Sequence, residues 1–239
     1  MKRLAELFAR KVEPFLLGDS DIEIVPRHQP RARRIALKVD PADGRVRLVI
    51  PPRASLAAAR RFAEENEGWI RRRLAALPRR IPFADGAVIP FCGRELTISH
   101  RPEARGTVWI ENDRLCVAGG QAHLARRVRD FLVAQARRIL GEKARVMAAS
   151  VDRRVHCVTI RDPRTRWGSC SRDGRLAFSW RLVLAPPEVL DYIVAHEVAH
   201  LVHLHHGPSF WRQVQAFMPG MTRWRRWLGR HGGELLRFG

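Results

Sequence analysis

The chain has 239 residues and a formal net charge of +20, from 44 basic and 24 acidic residues. This length suits one large domain or two small ones, and a content of 46% hydrophobic and 28% charged residues is typical of globular proteins. The composition argues against a disordered chain, and no stretch reaches the roughly 18 to 20 apolar residues that a membrane span needs. We therefore expect a cytoplasmic monomer with a buried core and no membrane partner.

Two further features of the composition bear on location and partners. The four cysteines are widely spaced and form no C-x-x-C pair, which favours reduced thiols in a cytoplasm. Nearly all of the basic residues are arginines, and they occur in both halves of the chain. Arginine-favouring codon usage is the simpler explanation; the alternative is a surface that binds a nucleotide or a nucleic acid.

The first 120 residues are predicted to form a β-rich N-terminal region with one helix. Alternating apolar residues at 35–39 and 46–50, on either side of turn residues 41–44, indicate a hairpin. Ser55 is a candidate N-cap for a helix that extends to Leu77 and is stopped by Pro78. A second hairpin is predicted at 108–117, around Asn112 and Asp113.

The second half, residues 121–239, has a different order of elements. Apolar residues at helical spacing predict a long helix over 122–150, and three strands are expected at 155–160, 166–171 and 176–180. A further helix is predicted over 188–204, ended by Gly207 and Pro208. Strands and helices alternate without a strict βαβ order, which favours an α+β fold with a small mixed sheet over a doubly wound parallel sheet.

The motif H-E-x-x-H at His196, Glu197 and His200 indicates a metal site. On a helix, residues at i and i+4 lie one turn apart on the same face, so both histidines can bind one ion. Imidazole nitrogens are common zinc ligands. Glu197 is adjacent to the first ligand and can take a proton from water as a general base.

A third ligand has to come from beyond this helix. On a continuous helix His203 would lie about 10 Å from His196 along the axis, too far to share an ion. His205 and His206 stand where the chain is expected to leave the helix, and spacing alone does not separate them.

The segments HEVAHLVHLHHGPSFW and TRWGSCS resemble the YgjP-like metallopeptidase family, gluzincin-type zincins related to the SprT-like proteases. In that pattern a histidine that closes the site is followed by a small residue, two further residues and Phe-Trp. This histidine corresponds to His206 here. The resemblance implies a zincin-like hydrolase domain over 121–239, with His196, His200 and His206 as metal ligands and Glu197 as catalytic base. His205 stands where relatives often have Asn or Asp, so it is a competing candidate for the third ligand.

Residues around the motif have a preferred structural interpretation and a functional alternative. Arg166 and Trp167 are expected to be a solvated arginine and a core tryptophan, with a place in a substrate cleft as the alternative. Cys170 is expected to be a buried strand residue and not a fourth ligand. The aromatic residues after the motif are expected to pack in the core, with base stacking as the alternative; they are Phe210, Trp211, Trp224 and Trp227.

The sequence therefore predicts a zinc-dependent metallohydrolase with one zinc per chain, of which a metallopeptidase acting on a peptide or protein substrate is the leading form. One alternative is a nucleotide pyrophosphohydrolase that uses the same site and binds phosphates through arginine. Another is a nucleic-acid-associated SprT-like protease, whose binding to DNA would weaken steeply with salt.

Overall fold

The computed structural model describes residues 13–18, 20–40, 43–77 and 79–239. The chain divides into two compact units, Met1–Arg79 and Arg80–Gly239. The sequence-based division near residue 120 concerns where the hydrolase domain begins and stays a prediction.

The first unit contains a four-stranded sheet with the order β1-β2-β4-β3. Its strands are β1 (Phe15–Leu16), β2 (Glu23–His28), β3 (Ala36–Val39) and β4 (Val46–Ile50). The two central strands, β2 and β4, are parallel, and each has an antiparallel strand on its outer side. The predicted hairpin is confirmed by the antiparallel pairing of β3 with β4; its turn residues 41 and 42 lie outside the described part of the chain.

The helical segment after β4 consists of two helices, α1 (Leu56–Glu65) and α2 (Glu67–Ala75), so the prediction of one continuous helix was wrong. Ser55 caps α1 as predicted, because its Oγ accepts a hydrogen bond from the backbone N–H of Ala58 at 3.1 Å. The break falls at Asn66, whose side-chain amide donates to the carbonyl of Phe62 at 2.8 Å. Such local bonding by asparagine competes with the helix. The predicted stop at Pro78 lies outside the described residues.

The second unit begins with another four-stranded sheet, ordered β5-β6-β8-β7. Its strands are β5 (Val88–Phe91), β6 (Arg94–Arg101), β7 (Val108–Glu111) and β8 (Arg114–Ala118). The predicted hairpin of β7 and β8 is confirmed, with Asn112 in its turn at a φ of 54°. This sheet consists of two hairpins, β5–β6 and β7–β8, joined by parallel pairing of β6 with β8. The sheet of the first unit has the same topology, although the sequence shows no internal repeat.

The predicted long helix is α3 (Leu124–Ala149), which runs through the core of the second unit. One stripe of α3 is fully buried at four-residue spacing, from Val128 through Leu132 and Ala136 to Leu140. The helix packs against α4 (Pro187–Ala199), and Lys143 pairs with Asp191 of α4 at 2.6 Å. The chemical motif therefore lies on a helix that is held by the central core.

A three-stranded sheet, ordered β10-β11-β9, lies beside α4. The strands are β9 (Cys157–Arg161), β10 (Gly168–Cys170) and β11 (Arg175–Ser179), which confirms the three predicted strands with shorter bounds. Strand β11 pairs with β9 in parallel and with β10 in antiparallel orientation. Within the described residues, β10 pairs only with β11, so its outer edge carries no neighbouring strand.

The chain ends in two helices, α5 (Pro208–Phe217) and α6 (Met221–Leu235). The buried Arg181 ties the segment after α6 to the core, because its guanidinium donates to the carbonyls of Leu235 at 3.1 Å and Phe238 at 2.6 Å. Arg181 also pairs with Asp162 at 2.8 Å.

Helices and mixed sheets together confirm the predicted α+β class. Among the described residues, no helix combines the length and the apolar character that crossing a membrane requires.

Candidate metal centre

The motif helix α4 is buried on nearly all of its surface. It begins at Pro187, which suits a first helical position because proline lacks the N–H that would be unpaired there. His196 is half-buried in its last turn, and Glu197 next to it is only 5% exposed. The motif is therefore presented from within the core.

Helix α4 ends at Ala199, five residues before the predicted end at Leu204, so that prediction was wrong. The carbonyl of Ala199 accepts hydrogen bonds from the N–H groups of Val202 at 3.1 Å and His203 at 2.9 Å, which turns the chain. His200 caps the helix, and its Nδ1 lies 3.1 Å from the carbonyl oxygen of His203. The His200 side chain and a tight turn therefore end this helix, and no glycine is involved.

Gly207 and Pro208 do not end α4 as predicted; they begin α5. Gly207 is the N-cap in extended conformation, and Pro208 occupies the first turn. The N–H of Gly207 donates to the carbonyl of His205 at 2.8 Å, which makes a tight turn around His206. The side chain of His206 thereby returns to the end of α4.

The structure brings together the imidazole nitrogens of His196, His200 and His206. The Nε2 atom of His206 lies 3.0 Å from Nε2 of His196 and 3.2 Å from Nε2 of His200. One nitrogen from each ring can be chosen so that all three lie within 4.8 Å of one another. His205 is exposed and lies outside this group, and His203 contributes its backbone carbonyl to the turn.

The protonation states of the imidazole rings favour a cation bound between the three nitrogens. To donate to the carbonyl of His203, a neutral His200 carries its proton on Nδ1, which leaves a lone pair on Nε2. Burial lowers the pKa of His196 to about 4, with a further contribution from the two neighbouring histidines, and burial also lowers the pKa of His200. When Nε2 of all three neutral rings is unprotonated, the converging lone pairs repel one another, and a cation between them removes that repulsion.

Phe210 packs on all three histidine rings. Its ring centroid lies 5.0 Å from that of His196, 4.5 Å from that of His200 and 4.7 Å from that of His206. Trp211 stacks on His206 at 5.8 Å with an angle of 30°. The expected core packing of these aromatic residues is confirmed, and sequence reasoning missed that Phe210 orients the candidate ligands.

Glu197 lies directly against strand β10. A Cβ atom added to Gly168 would lie 2.5 Å from Oε1 and 2.6 Å from Cγ of Glu197, so only glycine leaves room for this side chain. Burial raises the pKa of Glu197 to about 8, against the lowering effect of the Arg166 guanidinium. A cation at the histidines would favour the ionised carboxylate.

Two cavities meet at His196 and Glu197. The first, of about 380 Å³, contains the three candidate ligands and is bordered by β10. The second, of about 340 Å³, lies between β10, α4 and α6 and is lined by Arg166 and Trp167. The alternative that these two residues line a cleft is therefore supported. The preferred expectation is also confirmed, because Arg166 is exposed and Trp167 is half-buried against the core.

Cys170 lines the first cavity but does not belong to the group of converging nitrogens. Burial, with the nearby carboxylates of Glu197 and Asp173, raises the pKa of the Cys170 thiol to about 11. As expected, Cys170 lies on a strand and outside the group of candidate ligands, but its side chain is half-buried and not buried as predicted.

An α+β fold with three converging histidines and a buried glutamate beside them is the arrangement expected of a metallopeptidase-type hydrolase. The sequence profile described as YgjP-like, metallopeptidase domain, matches residues 33–231. This match covers most of the chain, and the protein belongs to the YgjP-like metallopeptidase family.

One solved structure similar to part of the chain is the metallopeptidase zymogen of Pyrococcus abyssi abylysin. It is 25% identical, with 42% of this chain and 92% of that chain covered and a TM-score of 0.30. No curated protein matches the sequence.

Proposed function

We propose that this protein is a zinc-dependent metallopeptidase that hydrolyses peptide bonds. The convergence of Nε2 atoms from His196, His200 and His206 carries the proposal. Three imidazole ligands are typical of a catalytic zinc site, which keeps one position open for water or substrate. When bound there, zinc would polarise the scissile carbonyl and make water more acidic.

The chain's own residues supply the rest of the chemistry. Glu197 is the general base: it accepts a proton from the attacking water and can pass it to the leaving amine. Gly168 lets β10 approach this carboxylate closely enough to hold it beside the histidines. The outer edge of β10, which pairs with no strand in the described part of the chain, can pair with an extended peptide, since strand addition to a sheet edge supplies main-chain hydrogen bonds.

We expect one zinc ion per chain in the purified protein, and peptide hydrolysis that is lost on treatment with a chelator and restored by zinc. The expectation follows from a single group of three ligands among the described residues. Elemental analysis combined with cleavage of a mixed peptide library measures both quantities. A protein that binds no divalent ion even after reconstitution would contradict the proposal.

We expect Gly168→Ala to lower kcat/KM for a peptide by about 100-fold, because displacement of a catalytic group by about 1 Å can cost this much. The new methyl group would overlap the Glu197 carboxylate, whereas the three histidines lie on other elements, so zinc content should be unchanged. Gly233→Ala is the matched control, since a Cβ there meets no atom within 4 Å. Wild-type kcat/KM in Gly168→Ala would show that this contact does not position the base.

A second candidate function is hydrolysis of a nucleoside triphosphate to release pyrophosphate or phosphate. One observation favours it: Arg166 and Arg225 line the cavity beside Glu197, and guanidinium groups bind phosphates well. Nucleotide hydrolysis that disappears in Glu197→Gln, without detectable peptide cleavage, would favour this candidate over the first.

A further inference from the structure

We propose that the second cavity is a subsite for an oxyanion group of the substrate, bound by Arg166, Arg225 and Tyr192. For a peptide substrate this group is a side-chain or terminal carboxylate close to the scissile bond. The proposal rests on the proposed function of the neighbouring metal centre, and it adds the class of substrate that the centre accepts.

The position of the cavity relates it to the reaction. It shares the walls Gly168, His196 and Glu197 with the cavity that contains the candidate ligands. A group bound in this cavity therefore lies beside Glu197 and His196. His200 and His206 do not line it. The volume of about 340 Å³ is at the lower end of the range for small-molecule pockets, which suits one side chain or one phosphate-bearing group.

The lining of the cavity has a positive formal charge, although the Arg166 guanidinium also acts electrostatically on the Glu197 carboxyl group. Among its lining residues, the two cations are Arg166 and Arg225, and Glu197 is the one acid. Neither arginine forms an ion pair with a carboxylate in the described part of the chain. Two guanidinium groups that line one cavity and are not in direct contact with a carboxylate are suited to bind a carboxylate or phosphate with paired hydrogen bonds.

Arg225 is held in place by an aromatic ring. Its guanidinium carbon lies 4.7 Å from the centroid of Trp211, and Trp211 itself stacks on His206. An arginine that is fixed in this way loses less side-chain entropy when it binds an anion. The same indole links the cationic cavity to the candidate metal centre.

Tyr192 and the apolar wall complete the subsite. Tyr192 stands one turn before His196 on α4, is 5% exposed and lines the cavity, where its hydroxyl is suited to donate to an oxyanion. The indole of Trp167 lies against α6, since a Cβ on Gly232 would be 3.0 Å from it. Arg166 and Arg225 are both exposed to solvent, so water screens part of the attraction between guanidinium and anion.

Peptide carboxylates and nucleotide phosphates share the chemistry that this subsite recognises. The two sources differ in the bond that is broken, so they can be separated with substrates. A preference for acidic over neutral peptides identifies a carboxylate, and hydrolysis of a nucleoside triphosphate identifies a phosphate.

The test compares Arg225→Gln with Arg223→Gln in the zinc-loaded full chain. Arg223 lies on the same helix and also over an aromatic ring, 4.8 Å from the centroid of Trp224, but it does not line the cavity. The measured quantity is the ratio of kcat/KM for two peptides that differ only by Glu or Gln beside the cleaved bond. We expect wild type and Arg223→Gln to prefer the Glu peptide, and Arg225→Gln to lose about 10- to 100-fold of that preference, the factor for one charge-assisted hydrogen bond.

A second measurement separates failure of the subsite from failure of the proposed function. Binding of inorganic pyrophosphate, followed by isothermal titration calorimetry, requires no turnover, and Arg225→Gln alone should weaken it by a similar factor. If a nucleoside triphosphate is hydrolysed and peptides are not, with the same dependence on Arg225, the peptidase assignment fails and the subsite stands. Equal behaviour of Arg225→Gln and Arg223→Gln in both measurements overturns the subsite.

Discussion

We expect Glu197→Gln to lower kcat/KM by about 10²- to 10⁴-fold, the usual contribution of a general base, without loss of zinc. Glutamine has nearly the same shape, so it fits the narrow space beside Gly168, but it cannot accept a proton from water. The three candidate ligands are untouched by this change. Steady-state kinetics with a cleaved peptide, together with elemental analysis of the same preparation, measures both effects.

Glu188→Gln is the matched control for this variant. Glu188 lies in the first turn of the same helix and is exposed, so the same chemical change there should leave kcat/KM close to the wild-type value. If Glu197→Gln keeps more than a tenth of wild-type activity, Glu197 is not the base.

The second large effect is expected for His206→Ala, which should weaken zinc binding by more than about 100-fold. Loss of groups that only support a ligand already costs roughly 10- to 100-fold in metal affinity, and removal of a ligand itself should cost more. The reason is geometric: Nε2 of His206 lies within 3.2 Å of both other candidate ligand atoms. Competition with a chromophoric chelator measures the affinity.

His203→Ala and His205→Ala are the controls for the ligand assignment. His203 contributes its backbone N–H and carbonyl to the turn, both of which alanine retains, and His205 is exposed outside the group of converging nitrogens. Both variants should bind zinc within a few-fold of wild type. A larger loss in His205→Ala than in His206→Ala would reassign the third ligand.

Local patterns in the sequence were enough to predict several elements. The long helix α3 shows regular apolar spacing, and the hairpins of β3 with β4 and of β7 with β8 show alternation around turn residues. The break at Asn66 and the end of α4 at Ala199 were missed because side-chain and backbone hydrogen bonds cause them. Neither position carries a proline or glycine that marks a helix end in sequence.

Within the candidate site, the spacing of residues in the sequence predicted only contacts between residues of one regular helix. His196 and His200 are separated by one helical turn, so their proximity follows from spacing. The choice between His205 and His206 depends on a tight turn that spacing does not specify. The contact of Gly168 with Glu197 joins residues 29 positions apart in different elements, so no local pattern shows it.

The common wall of the two cavities, formed by Gly168, His196 and Glu197, has a consequence for inhibitor design. A small molecule with a metal-binding group at one end and an acidic group at the other could occupy both cavities at once and enclose the glutamate between its two arms. Linking the two groups should raise affinity beyond that of either fragment, because the second group binds at a high effective concentration. The acidic group would provide selectivity against zinc enzymes that lack a cationic cavity at this position.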